Sequence, residues 1–246
     1  MRDWSEHASW WLQEVADDPV YELDVLPLVD ELIEDSRGCR LDLGCGEGQV
    51  MRSLGGVVVG TDISLRLLRQ ARHAGPVVRS RLPSLDWLRP GTIDVAYAVL
   101  VVEHLPNLDL FASVARVVRT GGSLIVVMNH PAFTPAAAGP IRDQIDGEIL
   151  WRWGNYFDPA PVAMPAGGGE VVFYHRPLGD LLNAAAAEGW SLDRLVERGF
   201  SADAIAAVPG YVGQEQMPRL LGIRWLRSDR PTTGSAGSVS YTHLRA

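Results

Sequence analysis

Two carboxylates and a run of alternate glycines are the residues of this chain whose types and spacing point most directly to chemistry. Asp42 stands just ahead of Gly44-Cys45-Gly46-Glu47-Gly48, and Asp62 follows twenty residues after Asp42. Alternate glycines permit positive φ and remove Cβ atoms that would hold a bound molecule away from the main chain. A carboxylate at the tip of the neighbouring strand can accept both hydroxyls of a ribose. Together these residues describe a site for a nucleoside-like ligand. Three histidines, His104, His130 and His175, have the side-chain type suited to act as a general base near neutral pH. Trp151, Trp153, Tyr156 and Tyr174 form an aromatic group suited to wall a second ligand.

The elements that must position these residues follow from local pattern. Leu41-Asp42-Leu43 is a short apolar run carrying an acid, and it feeds directly into the glycines, the pattern of a buried parallel strand leaving its sheet through a turn. Val57-Val58-Val59 is a second such run and ends at Asp62. A strand–helix–strand unit over this stretch brings both acids to one edge of a sheet, where open α/β folds bind ligands.

Two ligands fit that arrangement, and the residues discriminate between them. The dinucleotide fingerprint requires glycine at the sixth place of GxGxxG, where this chain has Gln49, and Asp42 repels a pyrophosphate. S-adenosylmethionine (SAM) has a ribose diol, no phosphate, and two cationic groups against one carboxylate, so Asp42 attracts it. At this point the chain resembles the class I SAM-dependent methyltransferases, whose first motif is an acid, an apolar residue and GxGxG, and whose second is an acid ending strand two. Further along, Val99 to Pro106 (VLVVEHLP) resembles that family's segment after strand four, and Arg116 to Gly122 (RVVRTGG) resembles its helix end before strand five. The resemblance covers residues 24 to 128 well and 174 to 227 more loosely, and it is to the small-molecule, ubiquinone/menaquinone-like branch.

The resemblance implies an α/β fold: a Rossmann-like seven-stranded sheet, mostly parallel with the last strand antiparallel, helices on both faces, and an insertion after strand five. It implies Asp42, Gly44, Cys45, Gly46, Asp62, Ile63, Arg81, Leu82, Ala98 and Val99 as cofactor-binding residues. The family often has an acid after strand three for the adenine amino group. Here Val78, Arg79, Ser80 and Arg81 occupy those places, leaving backbone groups near Arg81 and Leu82 to recognise the base. The organisation expected is 1–38 as amino-terminal helices over the cleft, 39–128 as the SAM-binding core, 129–176 as an insertion forming a substrate lid, 177–227 as the rest of the core, and 228–246 as a disordered tail. Trp10, Trp11 and Tyr21 either line a pocket or pack in the core. The helices expected are one from Asp3 to about Ala16, one carrying Val25 to Ile33 with Pro27 in its first turn, and one from Leu65 to Ala74 capped by Ser64. Ser235 to Ala246 carries no core pattern, its end resembles translated adapter sequence, and it is set aside as non-native.

Composition bounds the function. A chain of 246 residues, 47% hydrophobic and 21% charged, suits one globular domain, and no apolar run approaches the roughly 20 residues of a membrane span. A net charge of −8 argues against a polyanionic partner, which excludes nucleic acid as the expected substrate. Cys39 and Cys45 are too few for a metal site, no metal is expected, and a cytoplasmic enzyme fits. The expected reaction is methyl transfer to a small, fairly apolar acceptor. The alternative is a SAM-binding regulatory or partner protein without methyl transfer; a nicotinamide oxidoreductase is disfavoured by Gln49 and Asp42.

Overall fold

Short runs of β-branched residues alternate with amphipathic helices, and they assemble into one seven-stranded sheet with helices on both faces. The computed structural model of the chain describes residues 8–12, 18–33, 38–166 and 169–228. Helix α1 (Leu26–Ile33) leads to strand β1 (Arg40–Leu43), α2 (Gln49–Leu54), β2 (Val58–Asp62), α3 (Leu65–Ala71), β3 (Val77–Arg79), β4 (Ile93–Val99), α4 (Leu110–Val117) and β5 (Val118–Asn129). Two hairpins follow, β6 (Gly139–Arg142) with β7 (Ile149–Arg152), and β8 (Pro161–Ala166) with β9 (Gly169–Tyr174). The chain then returns to the sheet through α5 (Leu178–Ala187), β10 (Trp190–Arg198), α6 (Ala202–Ala207) and β11 (Leu220–Arg227).

The strand order is β10-β11-β5-β4-β1-β2-β3. Every neighbouring pair from β3 to β5 is parallel, and β11 runs antiparallel to both β5 and β10, so the seventh strand of the sheet in chain order is the reversed one. Strand alternation divides the core between the two faces. Ala96 and Ala98 of β4 face α4 and α5, whereas Tyr97 and Val99 face α1, α2 and α3.

Three local departures from the sequence expectations have physical causes. The helix around Pro27 begins earlier than expected, so Pro27 lies inside it. A π-helical turn, Tyr21–Val25, precedes α1, with the Leu26 amide donating to the Tyr21 carbonyl; the wider turn accommodates a residue that lacks an N–H and crowds the preceding turn. Helix α3 is capped by Ser64 as expected but ends at Ala71, where the amides of His73 and Ala74 make tighter three-residue turns. Strand five starts at Val118 instead of Ser123, because the chain enters the sheet beside Ile93 before the Gly121-Gly122 bend. Of the first expected helix, residues 8–12 are helical and the rest lies outside the described residues, as does 229–246 with the set-aside tail. Among the described residues no helix is long and apolar enough to cross a membrane.

Candidate active site

At the carboxyl ends of β1, β2 and β4 lies a cavity of about 310 Å³. The glycine loop enters it from β1 and is pinned to β2, the amides of Gly44 and Cys45 both donating to the Thr61 carbonyl at 2.7 and 2.9 Å. Two glycines in the loop are required for different reasons. Gly44 has φ +74°, and a Cβ there would lie 2.6 Å from a methyl of Val101, so this glycine serves loop packing. Gly46 has φ +53°, and its Cβ would project toward Trp11 with nothing closer than 3.8 Å, which leaves the backbone open to a ligand.

Asp62 is held by two backbone donors, Gly46 N–H to Oδ2 at 3.1 Å and Ser64 N–H to Oδ1 at 2.7 Å. Each oxygen retains a lone pair for a further donor, the requirement for binding a diol. Asp42 is buried, and its Oδ2 has no hydrogen-bond partner among the described residues; the same holds for Oε1 of Gln49. Burial, and then the charge of Asp62, raise the Asp42 carboxyl well above the usual carboxylate range. Burial likewise raises Asp62, with the backbone donors opposing it. Three carboxylates, Asp42, Glu47 and Asp62, line the cavity against one arginine, Arg81. An orphaned buried acid in an acidic cavity fits a cationic ligand and opposes a pyrophosphate.

The amino-terminal helical residues close this cavity from above the loop. Trp11 Nε1–H donates to Glu47 Oε2 at 2.7 Å, and Tyr21 adds its ring to the lining. Burial, with the charges of Asp42 and Glu47, keeps Tyr21 a neutral phenol. Nine of the ten cofactor residues expected from sequence line the cavity: Asp42, Gly44, Cys45, Gly46, Asp62, Ile63, Arg81, Leu82 and Val99. Ala98 does not; strand alternation turns it into the opposite core face. Cys45 is a buried filler whose thiol is pushed up by burial, away from nucleophilic use.

A second cavity of about 280 Å³ adjoins the first, and Trp11, Tyr21, Leu100 and His104 belong to both walls. Its other walls come from Trp10 and Val20, from Met164, Val171 and Phe173 of the β8–β9 hairpin, and from Asn129 and Arg219. Leu100 is one of two non-glycine residues with positive φ among the described residues, +56°, and its amide donates to the Val127 carbonyl. Such a conformation at a ligand wall is a feature that no local sequence signal announces.

The three candidate histidines separate on their contacts. His104 lines both cavities, and its Nδ1 lies 3.0 Å from the Val172 carbonyl; because a carbonyl only accepts, Nδ1 carries the proton and Nε2 the lone pair of the neutral ring. Burial holds its pKa below the usual imidazole value. His130 and His175 line neither cavity. His130 accepts from the Ala132 amide and bonds Glu197, while His175 bonds Thr134 and the Tyr156 carbonyl, so both have their ring nitrogens engaged in fixing the insertion.

The expected aromatic wall is also corrected. Trp151, Trp153, Tyr156 and Tyr174 line neither cavity. Trp151 stacks on Phe133 and donates to the Ala132 carbonyl, Tyr156 packs against Trp153, Phe157 and His175, and Tyr174 lies beside Arg176. Of the four only Trp153 and Tyr156 pack on each other, and Trp153 is 59% exposed. The insertion reaches the second cavity through Met164, Val171 and Phe173 instead.

Residues 41–126, about a third of the chain, match a family described as "Methyltransferase domain". The chain is 32% identical over 126 residues to a ubiquinone biosynthesis O-methyltransferase of Thiobacillus denitrificans, covering 46% of this chain and 54% of that protein. It is 35% identical over 101 residues to a trans-aconitate 2-methyltransferase of Azoarcus sp., covering 38% and 40%. The chain thus spans about half or less of the length of these curated relatives. Among solved structures it resembles an S-adenosylmethionine-dependent methyltransferase from Mesorhizobium loti, with 26% identity, a TM-score of 0.69, and coverage of 82% of this chain and 96% of that one. The matched core domain, the strand order and the acid-flanked glycine loop agree, so residues 41–126 carry a methyltransferase domain of the class I SAM-dependent kind.

Proposed function

We propose that this protein transfers the methyl group of SAM to a small, largely apolar acceptor held in the second cavity. The observation that carries the reading is the junction, through Trp11, Tyr21, Leu100 and His104, of two cavities that differ in charge: the first is lined by Asp42, Glu47 and Asp62, the second by apolar side chains together with Asp18, Asn129 and Arg219. A SAM-binding regulator needs only the first. SAM supplies an electrophilic methyl carbon on a cationic sulfur. The residues suited to hold it are Asp62 at the ribose hydroxyls, Asp42 toward the cationic end, and Ile63, Arg81 and Leu82 around the base. Trp11 and Tyr21 cover the junction and exclude water, which favours transfer to the acceptor over solvent. Positioning supplies much of the rate in such a displacement. The cytoplasm is the compartment we propose, in keeping with two free thiols, Cys39 and Cys45.

Titration calorimetry should show SAM and S-adenosylhomocysteine binding far more tightly than NAD, and incubation with methyl-labelled SAM and a metabolite panel should move label to a small acceptor. Equal or tighter binding of NAD would sink the reading. His104 is the base we assign for an acceptor that must lose a proton. His104→Gln should lower turnover of such an acceptor by about 100-fold, the usual scale of general-base catalysis, with little change in cofactor affinity. Because burial lowers its pKa, the wild-type rate should rise with pH below the ordinary imidazole value and be flat above it. Unchanged turnover in the variant would remove His104 from the chemistry.

A further inference from the structure

From Arg219, a guanidinium set into the wall of the second cavity, we infer that the acceptor carries an anionic group, a carboxylate on an apolar or aryl body. This deepens the methyltransferase reading and rests on it. Arg219 stands immediately before β11, with its backbone clamped on both sides: its amide donates to the Arg198 carbonyl at 2.6 Å, and its carbonyl accepts from the His130 amide at 2.9 Å. The side chain is fixed as firmly. Its carbon Cζ lies 4.9 Å from the ring centre of Phe133 and 5.7 Å from that of Phe200, and Nη1 donates to Oδ1 of Asn129. The Asn129 amide is itself oriented, because its Nδ2 donates to Oε1 of Glu103 at 2.9 Å.

A guanidinium has five N–H donors, and among the described residues this one spends a single side-chain hydrogen bond and reaches no carboxylate at ion-pair distance. Burial lowers its pKa, and nearby Tyr211, Glu103, Asp18 and Asp24 only oppose that shift at a distance. Glu103 accepts both Asn129 donors through Oε1 and leaves Oε2 without a hydrogen-bond partner among the described residues, while Asp24 accepts from the Ser201 amide. Asp18, the one acid that lines the cavity among the described residues, has an oxygen engaged by the Val20 amide. A partly buried cation without a direct counter-ion is poorly solvated, and a ligand carboxylate would supply the missing partner. The planar fork, held between two rings, is preorganised for bidentate contact with a carboxylate. The rest of the lining, with Trp10, Val20, Met164, Val171 and Phe173, suits an apolar or aryl body. Arg219 is therefore assigned as the residue that binds the acceptor's anionic end and orients its nucleophile toward the junction.

The test uses the full chain saturated with S-adenosylhomocysteine and a matched pair of probes, cinnamate and its neutral amide, with binding measured by calorimetry. Wild type should prefer cinnamate by at least about tenfold, on the scale of a charge-assisted hydrogen-bond pair. Arg219→Gln should bring the preference close to one while the dissociation constant of S-adenosylhomocysteine stays within about twofold, since Arg219 lies outside the cofactor cavity. If that variant does not melt cooperatively, Arg219→Lys should weaken cinnamate and Asp18→Asn should strengthen it, the second by removing the opposing charge. A preference near one in wild type, a preference undiminished in the Arg219 variants, or no binding of cinnamate at millimolar concentration overturns the assignment. Failure of S-adenosylhomocysteine to bind wild type would instead overturn the cofactor reading.

Discussion

Asp62→Ala is expected to weaken SAM and S-adenosylhomocysteine by about 2–4 kcal/mol each, the worth of two hydrogen bonds to a charged acceptor. The equality of the two losses is the sharper part of the prediction. Both ligands present the same ribose, and Asp62 is placed to meet the diol, not the sulfur. The carboxylate also anchors Gly46 and Ser64, so alanine leaves two backbone donors unpaired and loosens the loop. A modest fall in the melting temperature of the cofactor-free protein should accompany the loss of affinity. Isothermal calorimetry on a variant shown to melt cooperatively decides the matter; an unchanged dissociation constant for either ligand would take Asp62 out of the site.

Asp42→Asn should do two opposite things. In the cofactor-free protein the carboxyl is buried beside Asp62, and its pKa is raised above the usual value of 3.8. The folded state then binds more protons than the unfolded state between that value and the raised one, so this group's contribution to stability falls as pH rises through the window. Asparagine has no such term. The variant should therefore melt higher than wild type near pH 8, with the gain shrinking toward pH 4. The same substitution should weaken SAM by about 2 kcal/mol, because it removes the negative charge proposed to face the ligand's cationic end. Cofactor binding to wild type near neutral pH should release protons, since a bound cation draws the Asp42 pKa down; the heat of binding in buffers of different ionisation enthalpy measures this. A melting curve unaffected by the substitution at every pH, together with unchanged SAM affinity, would show that Asp42 is only a core residue. Stability given up at a functional acid is a common trade in enzymes.

The insertion after β5 shows how placement changes the meaning of a residue cluster. Its length, its aromatics and its position above the cofactor end of the sheet point toward a lid with an aromatic wall. The chain instead folds it into two hairpins whose rings are taken up by local contacts with Phe133, Phe157, His175 and Arg176, and it is tied down by His175 and by Arg176, which donates to the carbonyls of Val102 and Leu105. The residues that reach the cavity are the unremarked Met164, Val171 and Phe173 of the second hairpin. In a two-stranded ribbon successive side chains alternate between faces, so a single register choice decides which set faces inward; β9 meets the 3₁₀ turn Val102–His104 through the bond from His104 Nδ1 to the Val172 carbonyl.

What the sequence by itself determined is the part of the protein built from local repetition. The alternation of strand and helix, the acid–glycine loop and the second acid each leave a signal within a few residues, because strand period, turn chemistry and motif spacing are local properties, whereas the reversed last strand is implied only by the family resemblance. Nine of the ten residues expected to bind cofactor line the first cavity, and Ala98 lies on the opposite core face by a one-residue choice of face. The second cavity was decided by tertiary structure alone. The sequence offers Trp10 and Trp11 as pocket lining or core packing, but Leu100, Asn129, Phe173 and Arg219, which join them from four other parts of the chain, are not distinguished by their neighbours in sequence. The same holds for the histidines: all three have the same intrinsic chemistry, and the hydrogen bonds made by their ring nitrogens across 68, 67 and 41 residues of chain separate the one beside the cavities from the two that hold the insertion in place.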